Sequence, residues 1–197
     1  MNTPFIPTSQ QYFKKERLCI IINVTLPEGV LPMKIVVVSD THMPRKAKEL
    51  PPRLLRDLKT ADLIIHAGDW QIISVFEELS KYARVVGVSG NVDGPDIKSH
   101  FKEKLILSIN GFKIGVVHGH GQKLTTEKRA LATFKEDHVD CIIFGHSHIP
   151  ILKRVENVLL FNPGSATDKR KQTHFSYGIL HIGESIEAEH IFYETKH

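Results

Sequence analysis

The sequence predicts one α/β domain over residues 33–197, in which two mixed sheets pack face to face with helices outside them. Three observations carry this. Six short apolar runs, at residues 35–38, 63–65, 85–88, 105–109, 113–117 and 141–144, alternate with polar or helical segments, as strands buried between helix layers do. Asn110-Gly111 lies between two of those runs, and that dipeptide is the strongest short-range hairpin signal, so the later half turns antiparallel. After Pro150 four more strand-like pieces follow, at 151–155, 158–161, 175–182 and 188–193.

Taken in order, Met33 opens the first strand pattern with Lys34-Ile35-Val36-Val37-Val38, a natural start for such a domain. Residues 51–58, 72–82 and 126–134 place apolar side chains at helical spacing, so the chain begins β-α-β-α-β. Residues 1–32 have no clear period or cap and read as an extension of this domain. One reading makes the extension a start-site artefact, since Glu28-Gly29-Val30 can be encoded by bases resembling a bacterial ribosome-binding site just upstream of Met33. The other makes it an arm packed on the surface.

Apolar residues at 41% and charged residues at 24% describe an ordinary globular chain. The net charge is +4, and residues 1–32 hold three Lys or Arg and two Asp or Glu, so the remainder carries +3. Lys169-Arg170-Lys171 is a lone short basic run. It reads as a solvated loop, with phosphate binding as the alternative, so nucleic acid is permitted and not indicated. Cys19 and Cys141 form no disulfide framework, and Cys141 sits in an apolar run as a small buried thiol would, which suits a reducing cytoplasm. Nowhere do about 18 apolar residues follow one another, so no membrane span is expected.

The chemistry lies in where the polar residues fall. Five apolar runs each end, within a few residues, in side chains that bind metals: Asp40 and His42, Asp69, Asn91, His118, and His146 with His148. Open α/β sheets place ligands at the carboxyl ends of strands, where adjacent loops converge on a rigid platform. Each fragment alone has an ordinary reading: a helix cap for Asp40, a turn for Gly68-Asp69, a glycine-rich turn around Asn91. The joint occurrence outweighs these readings. Gly145-His146-Ser147-His148 weighs most, because alternating imidazoles at a crowded strand end need coordinating partners.

In this order, Asp40-x-His42, Gly68-Asp69, Gly90-Asn91-x-Asp93, His118-Gly119-His120 and Gly145-His146-Ser147-His148 resemble the calcineurin-like metallophosphoesterases, particularly their small single-domain bacterial and archaeal phosphodiesterases. The resemblance spans essentially all of residues 33–197 and includes Asn162-Pro163-Gly164-Ser165, which alone reads as a turn. It implies a four-layer α/β/β/α sandwich. It also implies two metal ions, one held by Asp40, His42, Asp69 and His148, the other by Asp69, Asn91, His118 and His146, with Asp69 bridging. Imidazole, carboxylate and amide donors without thiolate suit Mn²⁺, Ni²⁺, Fe²⁺, Co²⁺ or Zn²⁺, and the family favours manganese. Two such ions bring four positive charges, of which Asp40, Asp69 and a bridging hydroxide remove three, leaving about one to attract phosphate. That hydroxide is the expected nucleophile in hydrolysis of a small phosphodiester.

One departure matters. Many larger members have a histidine directly after the motif asparagine, thought to protonate the leaving oxygen, and here Val92 stands there. His120 is the expected substitute, with Asp93 orienting ligands as a hydrogen-bond acceptor. Asp69, Asn91 and His120 are thus the expected catalytic residues. His66 reads as a strand histidine bonded to backbone, and Trp70 as packing. The competing function is a non-catalytic scaffold like the retromer subunit that shares the fold, whose metal-binding pattern is eroded. A homo-oligomer is compatible with all of this.

Overall fold

A computed structural model describes residues 21–24 and 32–196 of the chain. The start-site reading of the extension and the reading of Cys19 fall outside the described residues. The strands are β1 (Ile21–Val24), β2 (Met33–Val38), β3 (Leu63–His66), β4 (Arg84–Gly87), β5 (Lys104–Ile109), β6 (Phe112–Val117), β7 (Cys141–Phe144), β8 (Ile151–Val155), β9 (Val158–Asn162), β10 (Phe175–Ile182) and β11 (Ile186–Tyr193). The helices are α1 (Pro52–Leu58), α2 (Ile73–Leu79), α3 (Pro95–His100) and α4 (Thr126–Thr133).

These strands form two mixed sheets, ordered β11-β10-β2-β3-β4 and β1-β5-β6-β7-β9-β8. β2, β3 and β4 run parallel, and β10 returns antiparallel along β2 with Gly178 opposite Val37. In the other sheet Asn110-Gly111 turns the chain between β5 and β6, which pair antiparallel with Ile109 opposite Phe112. β6, β7 and β9 are parallel. β1 adds an outer strand parallel to β5, so this piece of the extension is integrated into the domain's sheet.

Strand periodicity of two sets the layers. In β2, Ile35 and Val37 point into the core shared by both sheets, meeting Leu107, Ile114, Val116, Ile143 and Phe161. Val36 and Val38 face the other way, toward Leu54 and Leu58 of α1 and Val75 and Leu79 of α2. On the far sheet Ile142, Phe144 and Leu160 pack against Ala130 of α4 and Phe134 beside it. Helix, sheet, sheet, helix is therefore the order of layers, as expected. Both faces of each central strand are buried, which is why these runs read as continuously apolar.

Sheet-to-sheet contact leaves no spare volume at Gly178. A Cβ built there would lie 2.2 Å from the ring of Phe161, which is fully buried. Gly178→Ala must displace that ring within a close-packed core. It is expected to lower unfolding free energy by about 1–3 kcal/mol in urea melts; an unchanged midpoint would contradict this packing.

Candidate metal centre

The ends of β2, β3, β6 and β7 lie side by side, and the loops leaving them carry the predicted ligands. Asp40, His42, Asp69, His146 and His148 all have positive φ, between 45° and 68°. Non-glycine residues seldom adopt this conformation, which costs of order 1 kcal/mol or more each, and it persists only where the surroundings enforce it. Here it turns each side chain sharply back over its strand end.

Two groups of ligand atoms result. Asp40, His42 and His148 form one, and Asp69, His118 and His146 the other, with the ligand atoms in each within 4.8 Å of one another. Asp40 Oδ1 lies 3.3 Å from His148 Nε2 and 3.8 Å from His42 Nε2. His42 Nε2 and His148 Nε2 approach to 3.2 Å. Asp69 Oδ2 lies 3.1 Å from His118 Nε2 and 3.7 Å from His42 Nε2, so one carboxylate oxygen faces both groups. Asn91 is exposed on the loop that follows Gly90, and that loop rests on Asp69: a Cβ at Gly90 would fall 2.1 Å from Asp69 Oδ1.

Surrounding contacts aim these atoms. The Nδ1 of His118 lies 2.7 Å from the Ala67 carbonyl, and that of His148 lies 2.5 Å from the Asp168 carbonyl. An N–H donated at each Nδ1 leaves Nε2 as the ligating nitrogen, the usual arrangement around a metal-bound imidazole. Asp40 Oδ2 accepts from Ser39 Oγ at 2.7 Å and from the His146 amide at 2.8 Å. Asp69 Oδ1 accepts from the Val92 amide at 3.1 Å. Each carboxylate thus spends one oxygen on the protein and presents the other to the cluster.

Asp40 Oδ1 and His118 Nε2 are buried and make no hydrogen bond, although His118 Nε2 lies 3.1 Å from Asp69 Oδ2. Such orphaned buried atoms are costly unless something else pairs with them. Two carboxylates and four imidazoles, with their free atoms converging, fit divalent cations of the first transition row.

Charge follows the geometry. Burial would push Asp40 up, but the facing imidazoles of His118 and His148 and the Ser39 hydroxyl hold it well below the usual carboxylate range. Asp69 is also lowered: burial opposes this, and His118 outweighs it. Burial likewise works against a charged His118, yet Asp40 and Asp69 overcome it and raise that imidazole to about 9. His146 is driven down to about 4 by burial and by the charge on His118.

Asp93 accepts from the amides of Asp69, Gln71 and Gly90 at 3.1, 2.7 and 2.7 Å, tying the β3 and β4 loops together. His66 receives the Gly68 amide at Nδ1, reaches Thr41 Oγ1 through Nε2 and stacks on Trp70 at 3.6 Å, so both ring nitrogens are occupied in supporting the β3 end. Trp70 is fully buried, with its indole N–H on the Val88 carbonyl. His120 is half-buried with its ring 5.5 Å from that of His118 and 6.3 Å from that of His146, and its Nδ1 is buried without a hydrogen bond.

Residues that sequence reasoning gave no role in the site complete the frame. Asn162 Nδ2 donates to the Gly145 carbonyl, and Ser165 Oγ donates to the Asp40 carbonyl. The Asn162-Pro163-Gly164-Ser165 stretch is therefore a brace between the loops of both sheets as well as a turn. Only its recurrence within the resembled family could have singled it out.

A family model described as the Calcineurin-like phosphoesterase superfamily domain matches residues 33–185. The "Probable metallophosphoesterase MJ0623" of Methanocaldococcus jannaschii is 41% identical over 143 residues, covering 70% of each chain. "Phosphodiesterase MJ0936" of the same organism is 29% identical over 146 residues, covering 67% of this chain and 83% of its own. Among solved structures, wild-type Vps29 of Entamoeba histolytica complexed with zinc superposes with a TM-score of 0.67 at 25% identity, covering 81% of this chain and 99% of its own.

Because His118 is raised to about 9 by the two carboxylates, it is protonated in metal-free protein at pH 7, and coordination through Nε2 must expel that proton. In metal-free protein this proton also stabilises the fold, fully below the unfolded value of about 6.5 and no longer once the pH has risen through the folded one. Mn²⁺ titrated calorimetrically should therefore release about one proton more at pH 7 than well above pH 9, where His118 is already neutral, and bind more tightly as the pH rises. Uptake without proton release at pH 7 would contradict the assignment.

Proposed function

The chain belongs to the calcineurin-like phosphoesterase superfamily, and from that premise we propose that it is a phosphodiesterase that hydrolyses small phosphodiesters at a pair of divalent ions, with manganese as the working metal. The observation that carries this reading is the shared oxygen of Asp69, which faces both ligand groups across 3.1 and 3.7 Å. Two ions held so, when bound, supply Lewis-acid chemistry that acidifies water and offsets charge on the phosphoryl oxygens.

The residues of this chain do the rest. Asp40 and Asp69 provide two negative charges that hold the ions and limit the surplus positive charge that meets the substrate. Asp93 fixes the loop carrying Asn91, whose amide oxygen would serve as a ligand without adding charge. Val92 is 43% exposed beside the site and has no proton to transfer. We assign proton delivery to His120, whose ring stands beside both histidines of the Asp69 group. Burial, and next to it the charge on His118, lower its pKa, so its protonated form is a scarcer but stronger acid near neutrality.

A purely protein-binding scaffold on this fold has no use for what is buried here. The buried Asp40 Oδ1 and His118 Nε2, neither with a hydrogen-bond partner, are costly without cations beside them. The buried free thiol of Cys141, raised to about 12 by burial, is inert and suits a reducing cytoplasm. Among the described residues no helix is long and apolar enough to cross a membrane.

With Mn²⁺ added, the protein should hydrolyse bis-p-nitrophenyl phosphate, and Asp69→Asn should cut turnover by more than about a hundredfold with an unchanged circular dichroism spectrum. Retained turnover in the variant would sink the reading. Separately, His120→Asn should slow diesters with alkyl leaving groups about tenfold more than p-nitrophenyl diesters, because only poor leaving groups need the proton. Equal loss on both would remove His120 from that role.

A further inference from the structure

A cleft of about 280 Å³ opens beside the metal centre, and His42 belongs to its wall, so the cleft and the first ligand group are continuous. Three cations line it: Arg45, Lys46 and Arg170. Arg45 is exposed and has no hydrogen bond or ion pair among the described residues. Lys46 lies 3.4 Å from Asp168, the one acid in the wall. Arg170 donates through Nη1 to the His146 carbonyl at 3.4 Å, which anchors its guanidinium at the edge of the site. Its neighbour Lys169 turns aside, bonding the Thr173 carbonyl and covering the Phe175 ring. Gln71 adds an amide whose Oε1 is buried without a partner.

Three cations against one carboxylate leave two positive charges in the cleft without a protein counter-ion. The single charge of a phosphodiester is already met by the metal pair, so these two charges are not needed for the scissile group. We propose that the cleft binds a second phosphate of the substrate, so that the preferred substrates are small phosphodiesters bearing a terminal phosphate on one ester arm. Guanidinium forks suit such a group because they bind its oxygens in pairs. The cleft is small and bounded, which fits one phosphate better than the strip of cations that would track a polynucleotide. This inference rests on the phosphodiesterase reading and refines it.

The test compares thymidine 3'-(p-nitrophenyl phosphate) with and without a 5'-phosphate, using Mn²⁺-loaded protein. The 5'-phosphate should raise kcat/KM by about tenfold or more, and in the Arg45→Ala, Arg170→Ala double variant that ratio should fall to about one. Both positions are exposed, so the variant is expected to fold, which circular dichroism checks. A ratio near one in the unaltered protein, or one that survives the substitutions, would overturn the cleft while leaving the phosphodiesterase reading in place. If neither ester is hydrolysed, that reading fails, and calorimetry decides the cleft by itself: thymidine 3',5'-bisphosphate must bind more tightly than thymidine 3'-phosphate, with the difference lost in the variant. Equal affinities would refute it.

Discussion

The carboxylate of Asp40 is the contact on which the arrangement turns. It leaves the β2 end of one sheet, yet its Oδ2 receives the amide of His146 from the β7 end of the other, while Ser165 holds its backbone carbonyl. Both sheets are thereby tied at the same edge, and Oδ1 is left buried with no hydrogen bond. A carboxylate placed for stability alone would have both oxygens satisfied. This one secures the frame with one oxygen and offers the other to a cation.

The same division recurs through the centre. Asp69 gives Oδ1 to the Val92 amide and Oδ2 to the cluster, and His118 and His148 give Nδ1 to carbonyls and Nε2 to the interior. Without cations, the charges settle on a protonated His118 between two carboxylates that are held ionised. Two carboxylates against one imidazolium leave the metal-free cage negative, and metal in place of that proton would reverse the sign and make a surface that attracts phosphate. Arg45, Lys46 and Arg170 extend the positive field beyond the cage to one side.

Much of this was legible in the sequence because strands buried on both faces are written as unbroken apolar runs, and because the ligands follow those runs at once. Asn110-Gly111 marked the hairpin where it stands. Other features left weaker traces. The helix α3 is six residues long and buries only Ile97, too short for a periodic signal, and β1 lies in a stretch whose pairing depends on a distant partner. β11 begins at Ile186, ahead of the expected Ala188, because Ile186 and Ala188 both reach the inter-sheet core across a tight turn. The left-handed backbone at Asp40, His42, Asp69, His146 and His148 was not readable, since aspartate and histidine do not announce it as glycine does. Nor was the cationic cleft as a whole, since Arg45 and Lys46 meet Arg170 only in the fold; the run around Arg170 alone carried a phosphate-binding alternative.

The proposed chemistry requires that two groups of side chains each cage a cation and share Asp69. Crystals grown with Mn²⁺ and measured at a wavelength where manganese scatters anomalously test that directly. Two peaks are predicted, one among Asp40, His42 and His148 and one among Asp69, His118 and His146, with Asp69 contacting both. A map without peaks there, or with one ion elsewhere in the molecule, would contradict the account.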